Sequence, residues 1–133
     1  MEFPVSQRQP EPAPPRIAVI VPNRNDSRYL PRCIRSILEQ EAPPDELIVV
    51  DDQSTDGSVE LIRSLIEGRP RARLIENPVN LGTLRAIDEG LKVVRSEYVL
   101  FLSANDFVMP GLFARERNRC RNAGDAHHPS LSL

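Results

Sequence analysis

The sequence has little with which to bind a metal through sulfur or to cross-link a fold. Its two cysteines, Cys33 and Cys120, lie far apart and belong to no CxxC or Cys/His spacing. That excludes a disulfide framework and a zinc site of those patterns, and it makes a reducing cytoplasm the default expectation. The adjacent His127 and His128 precede Pro129 in a polar stretch and read as a loop rather than as ligands. An excess of positive charge is missing too. The formal net charge is -2, so there is no basic surface to release counterions from nucleic acid or to hold an anionic membrane. Lysine is nearly absent, Lys92 being the only one beside the arginines. No apolar run reaches the roughly 18 residues of a membrane span, and the N-terminus lacks the basic-then-apolar layout of a signal peptide. Neither GxGxxG nor GxxxxGK[ST] occurs. A bound nucleotide would therefore be held by side chains, not by a glycine-rich phosphate cradle.

What is present describes one soluble domain. A chain of 133 residues can bury roughly two-thirds of its unfolded surface around one core. Its 40% hydrophobic and 27% charged residues are ordinary for a globular protein. Residues 1–15 hold five of the thirteen prolines (Pro4, Pro10, Pro12, Pro14, Pro15) and read as a flexible or polyproline-like leader. The domain spans residues 16–124, and residues 125–133 form a tail in which a further strand could begin.

Within the domain, strand-length apolar runs alternate with helix-length periodic segments. Ile17 to Val21 is a β-branched run stopped by Pro22, and Leu47 to Val50 is another stopped by Asp51 and Asp52. Ala72 to Ile75 and Tyr98 to Leu102 supply a third and a fourth. Continuous apolar strands imply burial on both faces, as in a parallel sheet. Leu30, Ile34, Ile37 and Leu38 share one helical face, with Pro31 where a first turn tolerates it. A second helix is expected after Asp56 as N-cap, with Val59, Ile62, Leu65 and Ile66 as its inner stripe. Leu84, Ile87, Leu91 and Val94 make a third stripe, and a fourth helix is expected from about Pro110 to Asn122, ending before Gly124. Strand and helix alternating through short links give an α/β fold, a Rossmann-like and mostly parallel sheet flanked by helices.

In such a sheet the ligand crevice lies beyond the carboxyl ends of the strands. Three polar clusters fall there: PNRND, DDQSTDG and SANDFV. A carboxylate in DDQSTDG can accept a hydrogen bond from a nucleobase or a ribose; equally, Asp51 and Asp52 can organise the turn while Asp56 caps the next helix. In NPVNLGTLRAIDEG, Asn80 and Gly82 lead a helix whose first amides and Arg85 can face an anion, or Arg85 can be an exposed arginine on a helix with its other face in the core. In SAND, Asp106 can ligate a divalent cation, with weaker help from the Asn105 carbonyl and the Ser103 hydroxyl, or the segment is a turn. An open edge left by an incomplete sheet would favour self-association.

The order of these pieces is specific. IAVIVPNRND, LPRCIRSILEQEAPPDELIVVDDQSTDGS, NPVNLG and SEYVLFLSANDFVMPG together resemble the nucleotide-sugar-binding half of family-2 glycosyltransferases with the GT-A fold. The match runs from about Arg16 to Gly111, with VVDDQSTDGS, close to the family's VVDDGSTDGS, as its most specific part. The resemblance implies a donor-binding portion, incomplete at its C-terminus, of an inverting enzyme that takes a sugar from a nucleotide diphosphate to an unknown acceptor hydroxyl. UDP-sugars are the favoured donors. Pro22, Asn23 and Asn25 match the segment lining the nucleobase pocket. Asp52 matches the aspartate that hydrogen-bonds the base, with Asp51 structural beside it. Asn80, Gly82 and Arg85 belong to the donor site, as does Ala104. Asn105 falls at the last position of Asp-x-Asp, where a Mn²⁺ or Mg²⁺ is bound, and Asp106 matches the carboxylate that often follows.

The departures are equally definite. Ser103 and Asn105 replace both carboxylates of Asp-x-Asp, Arg24 stands where a tyrosine is common, and Ile87 with Asp88 replaces a frequent Arg-Asn pair. The base that deprotonates the acceptor is expected outside this chain, so no catalytic residue is assigned here; general base catalysis is worth typically 10² to 10⁴ in rate. A second reading is a truncated or degenerate relative that binds a nucleotide or a protein without transfer. A third, a nucleotidyltransferase, is disfavoured by the missing glycine-rich basic loop after the first strand.

Overall fold

The arrangement of strands follows from how completely each is apolar. In a computed structural model that describes residues 13–126, β1 (Ile17–Asn23) and β2 (Glu46–Asp52) take the centre of a four-stranded sheet. The edges are β3 (Ala72–Asn77) beside β2 and β4 (Tyr98–Phe101) beside β1, and all three pairings are parallel. The two central strands are buried almost throughout, whereas β3 and β4 are only partly buried. The expected α/β class and parallel sheet are therefore what the chain adopts.

Two layers of helix cover the sheet. On one face Val19, Val21, Leu47 and Val49 pack against α1 (Leu30–Leu38), α2 (Ser58–Ile66) and α4 (Leu112–Ala126) through Ile34, Ile37, Ile62 and Phe113. On the other, Ile20, Ile48 and Val50 meet α3 (Thr83–Leu91). Burying an aliphatic or phenyl side chain of this kind stabilises by about 1.5–3 kcal/mol, so the larger cluster anchors the fold.

Several boundaries depart from the expected ones. Pro22 does not end β1, which continues to Asn23. Ile20 accepts from the Leu102 amide on the β4 side, and alternate residues share a side, so the amide Pro22 lacks would face past Phe101, the last residue of β4. β2 runs through Asp51 and Asp52 because both carboxylates have partners (below), and β3 reaches Asn77. The N-cap of α2 is Gly57, in the left-handed region at φ 82°, rather than Asp56. Asp56 still accepts from the Ser58 amide at 3.1 Å, one position outside the cap. α4 passes through Gly124 to Ala126, so Asp125 and Ala126 are helical; the rest of the tail, with His127 and His128, and leader residues 1–12 lie outside the described residues.

The third stripe is the clearest correction. Leu84 is 83% exposed and Leu91 41% exposed, and the residues α3 buries are Ala86 and Gly90. A Cβ built on Gly90 would lie 2.9 Å from Ile20 Cγ2 and 3.3 Å from Val50 Cγ2. Small residues thus let the helix axis approach the sheet, and the leucines that fit the periodicity are rotated outward. Gly90→Ala should therefore lose about 1 kcal/mol net in urea unfolding, because about 1–3 kcal/mol of overpacking outweighs Ala's helix preference of about 1 kcal/mol; a gain in stability would contradict this packing.

Candidate functional site

Strand register creates the site. Asn23 is level with Asp51 and Asp52 with Asn77, so polar side chains that leave adjacent strands at the same height can bond sideways. The Asn23 Nδ2 donates to Asp51 Oδ1 at 2.9 Å, and the Asn77 Nδ2 donates to Asp52 Oδ1 at 3.1 Å. Buried carboxylates are costly unless hydrogen-bonded, and both here are. Asp51 also accepts from the Ser54 amide at 3.0 Å and its hydroxyl at 2.7 Å. Asp52 accepts from the Leu81 amide at 2.8 Å and the Gly82 amide at 2.9 Å. Those two bonds fix the start of α3 to the end of β2. Burial opposes the charge on Asp52, but the bonds from Leu81, Asn77 and Gly82, with the nearby Arg24 guanidinium, bring its carboxyl below the ordinary 3.8.

The result is a half-open cleft of about 490 Å³ across the carboxyl ends of the strands. Pro22, Asn23, Arg24 and Asp26 supply the side from β1, Asp52 the side from β2, and Asn80, Gly82, Thr83, Ala86 and Ile87 the α3 side. Phe101, Leu102 and Ser103 close it from β4. All three expected polar clusters thus contribute to one hollow. Of the residues singled out in the sequence, Pro22, Asn23, Asp52, Asn80, Gly82 and Ser103 line it. Asp51 lies behind the wall, bonded as above. Asn25, at φ 55°, braces the loop: its amide donates to Ser54 Oγ at 2.9 Å and its Oδ1 accepts from the Thr55 amide at 2.8 Å. Arg85 is exposed on α3 outside the lining, and Ala104 is buried in the larger core cluster.

Asn105 and Asp106 are exposed in a turn closed by the Asp106 amide donating to the Ser103 carbonyl at 2.9 Å, and neither lines the cleft. α1 holds this loop. Arg32 stacks on Phe107 with its guanidinium 4.5 Å from the ring centre, the Val108 amide donates to Ser36 Oγ at 3.0 Å, and Gln40 Nε2 donates to the Met109 carbonyl at 2.8 Å. A divalent cation at the turn would meet one carboxylate, Asp106, and neutral oxygens from Asn105 and Ser103. Hard cations take six or more oxygens, with anionic ones offsetting their dehydration. Among the described residues no group of three or more His, Cys, Asp or Glu side chains is placed to hold a metal. These residues do not fit a cation that the protein itself must hold.

Arg24, Asp26, Thr83 and Phe101 are wall residues that motif reasoning left unassigned. Arg24 and Asp26 had a signal, since they belong to the same PNRND exit as Asn23. Phe101 had none, because it reads as the end of an apolar strand. A second cavity of about 530 Å³ lies between the C-terminal end of α1 and the start of α4, with Glu39, Gln40, Val108 and Gly111 in its wall. It receives no strand-end carboxylate, so the first is the better candidate.

Comparison with known proteins agrees with the fold. The model of the family described as Glycosyl transferase family 2 matches residues 18–122. A glycosyltransferase of Haemophilus influenzae is 36% identical over 104 residues, covering 78% of this chain and 42% of its own length. The glycosyltransferase GlyG of Streptococcus pneumoniae is 34% identical over 92 residues, covering 69% and 31%. Among solved structures, the mannosyltransferase PcManGT from Pyrobaculum calidifontis, in complex with GDP-Man and Mn²⁺, superposes with a TM-score of 0.65 at 30% identity, covering 77% of this chain and 32% of that one. TarS 1-349 of S. aureus in complex with UDP-GlcNAc has a TM-score of 0.71 at 23% identity and covers 84% and 32%, a likeness of fold. The chain spans about a third to two-fifths of the length of these relatives.

Two of the carboxyls held below their ordinary value, Asp52 and Asp56, set a pH dependence at this end of the sheet. Burial acts against the charge on Asp56 as well, but bonds from Ser58 and Ser27 lower it to about 2. With Asp52 and Asp56 both below 3.8 in the folded state, the unfolded chain takes up protons first as the pH falls. Stability from these groups should be complete above about pH 5 and fall steadily from there toward pH 2, as followed by urea unfolding. Asp52→Asn should flatten that decline and cost about 2–3 kcal/mol at neutral pH, since its amide cannot accept from three donors; an unchanged midpoint would contradict the role of Asp52.

Proposed function

We propose, proceeding from the fact that this chain belongs to glycosyl transferase family 2, that its cleft receives a nucleotide-diphosphate sugar for transfer to an acceptor hydroxyl. The observation that carries this reading is the convergence of Asp52, Asn80 and Ser103, from three different strand ends, on one hollow of about 490 Å³. That volume suits a small-molecule ligand with a few placed polar groups.

In this reading Asp52 orients the nucleoside. Oδ1 has two donors and Oδ2 one, so a carboxylate with roughly four acceptor sites keeps one for a base N–H or a ribose hydroxyl. Asn23 belongs to the floor, and Asn80 and Gly82 to the rim. Asn25 and Asp51 stand behind them as supports, and Arg85 and Ala104 bear on the donor through the elements they sit in. UDP-sugars are the favoured donors, transfer is inverting, and the base that takes the acceptor proton comes from outside residues 16–124. Mn²⁺ accompanies GDP-Man in PcManGT; here a cation at Asn105 and Asp106 would depend on phosphate oxygens for most of its shell, and no step is derived through it. The free buried cysteines support the cytoplasm as the compartment, and among the described residues no helix is long and apolar enough to cross a membrane.

A non-catalytic nucleotide binder is the second reading, favoured by Ser103 and Asn105 standing where Asp-x-Asp has carboxylates. Both readings require binding, which thermal unfolding with UDP, GDP, CDP and dTDP tests: one of them at a hundredfold excess over its Kd should stabilise by about 2.7 kcal/mol, and no shift with any would sink both. Release of sugar from a UDP-sugar to water or to an added acceptor separates the two. Exposed Leu84 and Leu91 on α3, with exposed Phe101 on the edge strand β4, support self-association. Sedimentation at tens of micromolar should show dimers or larger species, and a monomer throughout would end that part of the proposal.

A further inference from the structure

The mismatch between the 103–106 turn and a divalent cation has a counterpart on the neighbouring β1 exit. Arg24 is the only basic residue among those lining the cleft. It is exposed, and among the described residues its guanidinium enters none of the four ion pairs. Neither acidic residue of the lining, Asp26 or Asp52, is ion-paired with it among the described residues. Asp52 lies near enough to feel its charge but takes its hydrogen bonds from Asn77, Leu81 and Gly82. A planar guanidinium carries five donors in a fork suited to two phosphate oxygens at once. It needs no partner anion from the protein to stay in place, whereas a hard cation does. Arg24 follows β1, and β1 lies between β2 and β4 in the sheet, so the residue stands between the Asp52 and Ser103 walls.

We infer that the cleft binds its nucleoside diphosphate without a divalent cation, the Arg24 guanidinium supplying the positive charge that the Ser103–Asp106 turn is too poor in carboxylates to recruit. The inference rests on the proposed nucleotide-sugar function and adds to it the way the diphosphate charge is met. Arg24 acts as a binding residue here, touching the ligand's phosphates.

Calorimetric titration of the full chain with UDP and GDP, in EDTA and in millimolar MnCl₂, tests it. Affinity should agree within about threefold between the two conditions, since the metal has little to hold it. Arg24→Ala should weaken binding about 10- to 100-fold in both, the scale of a lost charge-assisted bond, while Arg24→Lys keeps part of the affinity. Asn105→Asp, adding a second carboxylate beside Asp106, should create a preference for Mn²⁺ that the unaltered chain lacks. Arg24 is exposed, so its variants should keep the parent's unfolding midpoint. Binding lost in EDTA by tenfold or more, or unaltered in Arg24→Ala, would overturn the metal-free account while leaving the nucleotide reading intact. Absence of binding by either nucleotide under both conditions would overturn both.

Discussion

The carboxylate of Asp52 joins three elements that the chain makes separately. It leaves the end of β2, takes the Asn77 amide from the end of β3, and takes the Leu81 and Gly82 amides at the entrance to α3. A buried charge with fewer partners would be costly, so the loop from Pro78 to Gly82 is held where those donors are satisfied. The α3 wall of the cleft stands where it does for that reason. Close approach of α3 to the sheet at Gly90 completes the constraint from the other end of the helix.

The opposite wall is built by different means. The 103–109 segment has one internal bond, from Asp106 to Ser103, and is otherwise attached to α1 through Arg32, Cys33 and Ser36 and to Gln40 just beyond it. α1, which buries Ile34 and Ile37 against the sheet and brings Cys33 Sγ to 3.8 Å from the Ser103 carbonyl, therefore sets the position of Ser103 relative to Asp52. A rigid β2–α3 wall faces a loop fastened to a helix, with Arg24 and Asp26 on the β1 exit between them. Selectivity for a nucleotide and the means of meeting its charge are thus distributed over segments with different supports.

Much of this was legible in the sequence. The four apolar runs and the intervening periodicity gave the order of elements, and topology gave the meeting of PNRND, DDQSTDG and SAND at one edge. The failures have physical causes. Leu84 and Leu91 fit a helical stripe, but tertiary contact was decided by which residues were small enough for the helix to approach, Ala86 and Gly90. Asp51 and Asp52 looked like strand terminators because side-chain partners across a sheet cannot be seen in one sequence; with Asn23 and Asn77 in register they extend β2 instead. Ala104 and Arg85 lie inside informative motifs, yet the turn after β4 takes one into the core and helix rotation takes the other to the surface.

The central claim is that a nucleotide enters the hollow between Asp52 and Ser103. Amide chemical-shift mapping of the isotopically labelled chain during titration with UDP or GDP addresses it most directly. The account predicts shifts concentrated at Asn23, Arg24, Gly82, Thr83 and Ser103, with Glu41 and Gly111 at the second cavity unmoved. Shifts confined to Glu41, Gly111 and their neighbours, or none at saturating nucleotide, would contradict it.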